Sequence, residues 1–410
     1  MAVNVLVIGG GAGGLCAAAA AAEAGGRVTV LEKRHTPGKK LLATGNGRCN
    51  LANLGVPRYE GDASFALRTL RAFPPEKLLR TLNSWGLQLT REEERVYPAV
   101  RQASAVLALL TERLRALGGT LLPDFEVKEL RRENGRFTAV CADGRTVQAD
   151  RCVLATGGLA GGSLGSARED YRLAEGFGHR VTKLFGALAP LETDTASLKG
   201  LSGLRLPAYV RLFAQKRCVQ AESGEVLITD YGISGICVMQ LARRTKELLD
   251  QGKEPYITLD LLPLLKGEGV PYGPLPADFP DSREEICSLL EKRRRLLPGQ
   301  DILTGLLPEG LCRKLRNVPL TELPRALCAW RLPVRAVRPL AFAQVTAGGV
   351  GTGDVDAETL SSRLCPGLYL SGEMLDVDGA CGGFNLQFAM ISGILAGQNA
   401  AGDLPLGKGT

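Results

Sequence analysis

Histidine is nearly absent from this chain of 410 residues, which contains only His35 and His179. Metal centres that depend on histidine ligands, and nucleophilic triads that depend on a histidine base, are therefore not predicted. The eleven cysteines include no CxxC pair, which speaks against a zinc site or a thioredoxin-like motif. Their odd number and irregular spacing match no secreted disulfide framework, so we predict reduced and mostly buried thiols.

Long hydrophobic runs are absent as well. No run of about 18 apolar residues occurs, so the sequence predicts neither a membrane span nor a membrane partner. The first apolar run, residues 3–8, ends at a glycine cluster and is interpreted as the first strand of the fold, not as a signal peptide. A cytoplasmic location is therefore predicted. The formal net charge of +7 fits an acidic partner such as RNA, although a solvated surface around an anionic cofactor explains it more simply. No DNA partner is predicted.

What is present is a dinucleotide-binding fingerprint at the start of the chain. The strand run at 3–8 leads into the turn GGGAGG at 9–14, an alanine-rich helix and a second strand at 27–31. That strand ends at Glu32, 23 positions after Gly9, where an acid suits hydrogen bonds to a ribose diol. Strand, helix, second strand and acid together predict a bound dinucleotide.

The glycines of this turn have separate physical roles. Gly9 permits the tight turn out of the strand, Gly11 lets the backbone approach a diphosphate, and Gly14 lets the helix pack on the sheet. The N–H groups at the helix N-terminus, including those of Ala12 and Gly13, present a partial positive charge to the phosphates.

The end of the chain carries a second element of the same kind. A strand at 366–371 ends in Gly372 and Glu373, and a glycine-rich loop leads to a helix predicted at 385–400. Gly372 permits a close approach of the backbone, and Glu373 suits the ribityl or phosphate-side hydroxyls of a flavin. This element predicts FAD rather than a nicotinamide nucleotide as the bound cofactor.

The N-terminus of that last helix adds to the flavin prediction. The N–H groups of Asn385, Leu386 and Gln387 would stabilise negative charge on the reduced flavin. A second GxGxxG after a strand is not found, so no dedicated nicotinamide domain is predicted, and NAD(P)H would be an external electron donor.

A meander and an insertion are predicted between the two elements. Three short strands span 124–149 and are separated by hairpin turns. The strand that follows them ends at Thr156 and Gly157, a second signature of a nucleotide domain. The pattern changes from about residue 187 and returns to the nucleotide-domain style after about residue 342.

These motifs together resemble the BaiN/YhiN-like family of FAD-dependent flavoproteins. The matching stretches are VIGGGAGGLCAAAAAAEAGGRVTVLEK, GKKLLATGNGRCNLAN, VLATGG, LITDYGISG, TAGGV and PGLYLSGEMLDVDGACGGFNLQ, which are spread over the whole chain. The resemblance implies an α/β fold with a Rossmann-like FAD-binding domain of the two-dinucleotide-binding flavoprotein type, an inserted β-barrel-like domain and a small helical subdomain. The implied boundaries are 1–186 with 342–410, 187–261 with 331–341, and 262–330.

Carried over residue by residue, the resemblance implies where FAD would lie. Gly11, Ala12 and Gly13 would meet the diphosphate, and Val127 would offer its backbone to adenine. The further cofactor contacts that it implies are Glu32, Lys33, Lys39 or Lys40, Arg48, Cys49, Asn50, Gly372, Glu373, Asn385 and Leu386.

The flavin face is where the resemblance leaves alternatives open. Cys49, Tyr231 and Cys381 are candidates for a catalytic proton donor. A redox-active pair of Cys49 and Cys381 is an alternative to plain packing of the two thiols. The loop 229–235, which holds Tyr231, is equally well explained as a glycine-rich turn capped by Ser234.

Three reactions are consistent with these residues. The first is reduction of a C=C bond conjugated to a carbonyl, by hydride from reduced FAD, in a steroid or bile-acid enone or in a uridine of ribosomal RNA. The basic segment around 292–295, with further basic residues at 313–316, would suit RNA, or it is a solvated helix surface. The second is oxidation of a small amine or amino ketone. The third is a non-catalytic flavoprotein that binds RNA. The sequence does not predict the oligomeric state.

Overall fold

The computed structural model describes residues 2–164 and 166–402. The chain divides into two units, of which the first comprises Met1–Phe185 and Val345–Thr410 and the second Gly186–Gln344. The second unit is thus an insertion in the chain of the first. In the described ranges no helix is long and apolar enough to cross a membrane.

Strands and helices alternate along the first unit, and strands dominate the first half of the second. The strands are β1 (Asn4–Ile8), β2 (Arg27–Leu31), β3 (Ala52–Asn53), β4 (Tyr59–Gly61), β5 (Leu89–Glu92), β6 (Arg95–Pro98), β7 (Thr120–Leu122), β8 (Val127–Glu133), β9 (Arg136–Cys141), β10 (Thr146–Ala149), β11 (Arg151–Leu154), β12 (Phe185–Ala187), β13 (Leu191–Thr193), β14 (Arg205–Ala214), β15 (Arg217–Ile228), β16 (Gly232–Ser234), β17 (Tyr256–Asp260), β18 (Gly273–Leu275), β19 (Trp330–Val337), β20 (Val345–Ala347), β21 (Leu368–Leu370) and β22 (Val377–Gly379). The helices are α1 (Ala12–Glu23), α2 (Lys39–Ala43), α3 (Ala63–Ala72), α4 (Pro75–Ser84), α5 (Ala103–Ala116), α6 (Arg172–Glu175), α7 (Ile236–Met239), α8 (Ala242–Asp250), α9 (Leu262–Lys266), α10 (Arg283–Leu296), α11 (Glu309–Leu315), α12 (Leu323–Cys328) and α13 (Phe384–Gly402).

A parallel sheet of five strands forms the centre of the first unit, in the order β21-β11-β1-β2-β7. In β1, Val5, Leu6 and Val7 are all buried, because helices cover both faces of such a sheet. Strand β21, which comes from the far end of the chain, lies beside β11 with Cys152 opposite Leu368. The carboxyl ends of these parallel strands meet at one edge, where ligands bind in open α/β sheets.

Helices α1 and α13 pack against each other through small residues. A Cβ atom placed on Gly393 would lie 2.2 Å from the carbonyl oxygen of Gly13, and one on Gly397 would lie 2.0 Å from that of Ala17. These distances are shorter than any real contact of a Cβ atom, so the crossing requires glycine at both positions of α13. The spacing of four residues places both glycines on one face of the helix.

The predicted meander is present as the antiparallel sheet β10-β9-β8. Its first turn has positive φ at Asn134 (51°) and Gly135 (78°), as the favoured two-residue hairpin turn requires. The first strand was expected from residue 124 but begins at Val127. The reason is local: Asp124 has φ 52°, and the N–H of Phe125 donates to Glu32 O at 2.9 Å instead of to a neighbouring meander strand.

The second unit contains a closed barrel of six strands in the order β14-β17-β19-β13-β16-β15, closed by the pairing of β14 with β15. The predicted β-barrel-like insertion is therefore confirmed. Strand β15 pairs with β14 along most of its length, from Arg217 to Leu227. The range 262–330, for which a small helical subdomain was expected, contains α9, α10, α11 and α12 together with the short strand β18.

Candidate cofactor-binding site

The turn between β1 and α1 is sterically dependent on two glycines. Gly9 has φ 107°, and a Cβ atom there would lie 2.4 Å from the carbonyl oxygen of Ala155. A Cβ atom on Gly14 would lie 1.9 Å from the carbonyl oxygen of Gly9. A side chain at Gly9 would therefore clash with the backbone that follows β11, and one at Gly14 would push α1 away from the turn.

Gly11 has a different role, because a Cβ atom on it would meet nothing within 4 Å. Its φ of −81° is also accessible to other residues. The space beside Gly11 lies at the start of α1, where the N–H groups of Ala12, Gly13 and Gly14 have no acceptor within the helix. The first intrahelical bond runs from Leu15 N to Gly11 O, at 2.9 Å. Open space beside free N–H groups at a helix N-terminus is what an anionic diphosphate needs.

Glu32 is held firmly at the end of β2. Its side chain is buried, one carboxylate oxygen accepts from Gly10 N at 2.8 Å, and the other accepts from Arg34 N at 2.9 Å. Each carboxylate oxygen has a second lone pair that a ribose hydroxyl can use. The neighbouring Lys33 forms an ion pair with Asp170 (2.8 Å), a residue that the sequence did not single out.

Lys40 and Glu373 were both predicted to contact the cofactor, and the structure pairs them with each other. Lys40 Nζ lies 2.7 Å from Glu373 Oε1 and 2.6 Å from Oε2. The backbone N–H of Thr346 also donates to Glu373 Oε1, at 2.9 Å. Lys39, the alternative to Lys40, is exposed.

The loop from α2 to β3 has a strained backbone. Asn46 and Cys49 have φ values of 54° and 58°, in the left-handed region that non-glycine residues rarely adopt. Such strain is concentrated at functional sites. Asn50, which follows, has its Oδ1 buried without a hydrogen-bond partner, and so does the Thr156 hydroxyl at the end of β11. Since most buried polar groups are paired, both atoms fit a bound cofactor that supplies the missing partner.

The start of α13 is preorganised by its own side chains. Asn385 accepts from Gly379 N and donates to Gly379 O, both at 2.7 Å, so its side chain is bonded to the protein and its backbone N–H is left for a ligand. The prediction that the backbone N–H of Gln387 is available to the flavin was wrong, because this N–H donates to Gly383 O at 3.0 Å. The N–H groups without an acceptor in the helix are those of Phe384, Asn385 and Leu386.

Asn53 and Tyr59, which the sequence analysis missed, fix this helix end in place. The side chain of Gln387 accepts from Asn53 N at 3.0 Å and donates to the Tyr59 hydroxyl at 3.2 Å. That hydroxyl donates to Phe384 O at 3.1 Å. The chain around Gly372 (φ 73°) is fixed as well, since its N–H donates to Ser392 Oγ at 2.9 Å.

The remaining predicted contacts are Arg48, Val127 and Gly157. Arg48 is exposed, with its guanidinium 5.5 Å from the Tyr97 ring and 3.9 Å from Glu92. Val127 begins β8 opposite Cys141, and Gly157 has φ 78°.

The three candidate proton donors differ in their surroundings. Cys49 is fully buried, and burial raises the pKa of its thiol to about 11. Burial also raises the pKa of the partly exposed Cys381, although Arg95 and Arg58 act in the opposite direction. Both thiols therefore hold a proton at neutral pH. All eleven cysteines are free thiols. Tyr231 belongs to the second unit, where the guanidinium carbon of Arg338 lies 4.4 Å from its ring centre.

Taken together, the first unit offers two helix N-termini, a buried acid at a strand end, and buried polar atoms without partners. This donor set fits a dinucleotide that carries a diphosphate and a ring able to accept negative charge, as FAD does. Among the residues that the structure describes, no group of three or more His, Cys, Asp or Glu side chains is arranged to hold a metal ion.

Comparison with known proteins is consistent with this geometry. The model of the HI0933-like protein Rossmann domain matches residues 3–399. The chain is 37% identical over 399 residues to the 3-dehydro-bile acid delta(4,6)-reductase of Clostridium scindens, covering 92% of this chain and 94% of that protein. It is 27% identical over 402 residues to the ribosomal RNA dihydrouridine synthase of Escherichia coli, covering 97% of each. A flavocytochrome c3 fumarate reductase in its open conformation is 15% identical with a TM-score of 0.50, covering 97% of this chain and 78% of that one, which indicates a shared fold.

Proposed function

The chain belongs to the HI0933-like family, as its motifs predicted, and is an FAD-dependent oxidoreductase; we propose that it reduces a C=C bond conjugated to a carbonyl group, in a steroid-type enone. The observation that carries this proposal is the 37% identity to the bile-acid delta(4,6)-reductase, which extends over nearly the whole length of both chains. The N-terminus of α13 supports it, because free N–H groups there can stabilise the charge that builds up during such a reduction.

The residues of the first unit would hold the cofactor in the following way. The N–H groups at the start of α1 would bind the diphosphate, and Glu32 would accept from the ribose diol. Glu373, oriented by Lys40 and Thr346, would accept from the ribityl side. When bound and reduced, FAD would supply a hydride, that is two electrons and one proton, for the β carbon of the conjugated bond.

A second proton must reach the α carbon, and Cys381 is our choice for the donor. It is the only one of the three candidates that is both in the first unit and partly exposed, since Cys49 is fully buried and Tyr231 belongs to the second unit. Its raised pKa keeps the thiol protonated at neutral pH, as an acid requires. Arg95 and Arg58 partly offset the rise of that pKa, which favours transfer of the proton to the α carbon of the substrate.

The second candidate substrate is a uridine in ribosomal RNA, whose C5=C6 bond is conjugated to a carbonyl in the same way. It is favoured by the 27% identity to the dihydrouridine synthase and by the exposed Lys292, Arg294 and Arg295 on α10. Arg293 contributes less, because its guanidinium is bonded to the carbonyl oxygens of Ile302 and Thr304, at 2.8 and 2.9 Å. We therefore place RNA after the enone.

The experiment uses purified holoprotein whose FAD has been reduced with dithionite under anaerobic conditions. It is mixed separately with a 3-oxo-4,6-diene bile acid, with a transcript of large-subunit ribosomal RNA, and with air-saturated buffer, and reoxidation of the flavin is followed by absorbance. Rapid reoxidation by the enone is the expected result, with a product in which one of the two C=C bonds has been reduced seen by mass spectrometry. If the RNA reoxidises the flavin and dihydrouridine is formed, the substrate is ribosomal RNA and not the enone.

Reoxidation by oxygen alone, at a rate above that of free reduced FAD, would overturn the reductase proposal in favour of oxidation of an amine or amino ketone. The same mixing experiment, started from oxidised enzyme, tests NADH and NADPH as the external electron donor that we propose. A cytoplasmic location stays a prediction from the sequence.

A further inference from the structure

Two hydroxyl groups lie inside the first unit without a hydrogen-bond partner. Ser371 and Tyr171 are both 0% exposed, and neither hydroxyl is paired in the described part of the chain. Neither residue was among the predicted cofactor contacts. Because the large majority of buried side-chain polar atoms are paired, we expect each of these hydroxyls to bond to a group from outside the protein.

Ser371 lies where the first helix of the fold begins. It follows β21, and its backbone N–H donates to Leu154 O at 2.9 Å, which fixes it at the carboxyl edge of the sheet. A Cβ atom placed on Gly13 would lie 3.5 Å from Ser371 Oγ. The hydroxyl therefore borders the N-terminus of α1, at the place that offers free N–H groups to a diphosphate.

Tyr171 belongs to a turn that is tied to the end of β2. The turn Arg168–Tyr171 is connected to the end of β2 by the ion pair of Asp170 with Lys33, and the guanidinium carbon of Arg168 lies 5.8 Å from the Tyr171 ring centre. The negative charge of Glu373 is near enough to add to the effect of burial, and both raise the pKa of the Tyr171 hydroxyl. The hydroxyl is thus protonated and able to donate.

We propose that Ser371 and Tyr171 are two further contacts of the FAD dinucleotide, with Ser371 Oγ donating to the diphosphate and Tyr171 Oη bonded to one of the sugar hydroxyls. The inference rests on FAD as the cofactor and is independent of which substrate is reduced. Both hydroxyls complete a set of donors that already includes the backbone N–H groups of α1.

The test depends on the sign of two effects. Removal of an unpaired buried hydroxyl removes a desolvation cost, so the FAD-free variant should melt no lower than the unmodified protein. Removal of a hydroxyl that binds FAD should weaken FAD binding. We expect the dissociation constant of FAD to rise about 10- to 100-fold in Ser371→Ala, which loses a bond to a charged group, and about 3- to 10-fold in Tyr171→Phe.

The measurement uses the full chain, stripped of FAD and titrated with FAD by quenching of flavin fluorescence, together with thermal melting of the stripped protein. ADP is a second probe, because it carries the diphosphate and lacks the flavin. Ser371→Ala should weaken ADP binding as well.

Two control variants calibrate both readouts. Tyr369→Phe removes a buried hydroxyl that donates to Asn399 O at 3.3 Å, so it should lower the melting temperature and leave FAD affinity unchanged. Thr245→Val removes another buried hydroxyl without a partner, in the second unit, so it should raise the melting temperature and leave FAD affinity unchanged.

Each variant tests whether the hydroxyl that it removes contacts FAD. An unchanged FAD dissociation constant would exclude that hydroxyl from the cofactor site. Weaker FAD binding together with a lower melting temperature of the FAD-free protein would mean a structural role and would also overturn the proposal. Loss of enone reduction with normal FAD binding concerns the proposed function and leaves this inference unaffected.

Discussion

The ammonium group of Lys40 lies 2.6 and 2.7 Å from the two carboxylate oxygens of Glu373, although 333 positions separate the two residues. The pair joins α2 to the segment that follows β21, the edge strand of the parallel sheet. Both side chains are partly buried, with 29% and 18% exposed, so solvent screens the pair less than it would a surface ion pair.

This pair predicts a non-additive response to substitution. Lys40→Met leaves the carboxylate of Glu373 with one backbone partner, and Glu373→Gln leaves the ammonium of Lys40 without its counter-ion. Each single variant should lose about 1–2 kcal/mol of stability, whereas the double variant should melt closer to the unmodified protein. Melting temperatures of the four FAD-free proteins measure this. A double variant that melts as low as the sum of the two single losses would show that the residues act independently.

Gly11→Val should give a folded and colourless protein. Its backbone φ suits valine and its surroundings are open, so the side chain would occupy the space at the start of α1 that the diphosphate needs. Absorbance near 450 nm, with circular dichroism to check folding, measures the outcome.

The matched control for this variant is Gly269→Val, which makes the same change at an exposed glycine with nothing within 4 Å of its Cβ position. That variant should stay yellow. Full FAD content in Gly11→Val would refute the assignment of the turn as the diphosphate site.

Cys381→Ala should slow reduction of the substrate by about 100-fold or more, the usual effect of losing a general acid, without loss of FAD. The unmodified enzyme should lose rate only as the pH rises above the usual thiol range, about 8.5, because its thiol must be protonated and its pKa is raised. Single-turnover reoxidation of reduced enzyme across pH 6–10 measures both effects.

Cys365→Ala is the comparison for that variant, because Cys365 is a buried free thiol of the first unit that is not among the proposed cofactor contacts. Its rate should be nearly unchanged. Equal losses of rate in the two variants would contradict the choice of Cys381 as the donor.

His179 should make the first unit less stable in mild acid. It is buried, its Nε2 lies 2.8 Å from Ser362 Oγ, its Nδ1 has no partner, and burial lowers its pKa from the usual 6.5. The unfolded chain therefore takes up a proton at a higher pH than the folded chain, so stability is complete above about pH 6.5 and falls as the pH drops below it. The melting temperature should fall more between pH 7 and pH 5 for the unmodified protein than for His179→Gln. If the melting temperatures of the two proteins fell equally with pH, His179 would not be the group responsible. The other histidine, His35, is exposed and contributes equally to both proteins.

Local features of the site could be predicted from the sequence because their causes are local. The glycines at 9 and 14 permit positive φ or close packing whatever the rest of the chain does, and a strand followed by a helix sets the position of free N–H groups. The sequence also has a helical pattern over 62–85, which shows the limit of such reasoning. It is two helices, α3 and α4, since Pro74 lacks an N–H and Pro75 takes the first position of a new helix.

Partners that are distant in the chain could not be predicted in the same way. Nothing in the sequence near Lys33 points to Asp170, and the bond from Gln387 N to Gly383 O depends on where α13 begins. The crossing of α1 and α13 did leave a signal, because Gly393 and Gly397 have the small-xxx-small spacing that close helix packing requires. The sequence shows that both positions are glycine, but only the structure shows that they contact Gly13 and Ala17.

The return of the chain to the first unit after residue 344 has a consequence for biosynthesis. The growing polypeptide completes β1, α1 and β11 early, yet β21 and α13 leave the ribosome only after the whole six-stranded barrel has been translated. Until then the edge of β11 and the small-residue face of α1 have no covering element, and Glu373 is not available to Lys40. Assembly of the proposed flavin pocket therefore has to wait until the barrel has been translated, and a product terminated within the barrel would contain only the amino-terminal half of that pocket.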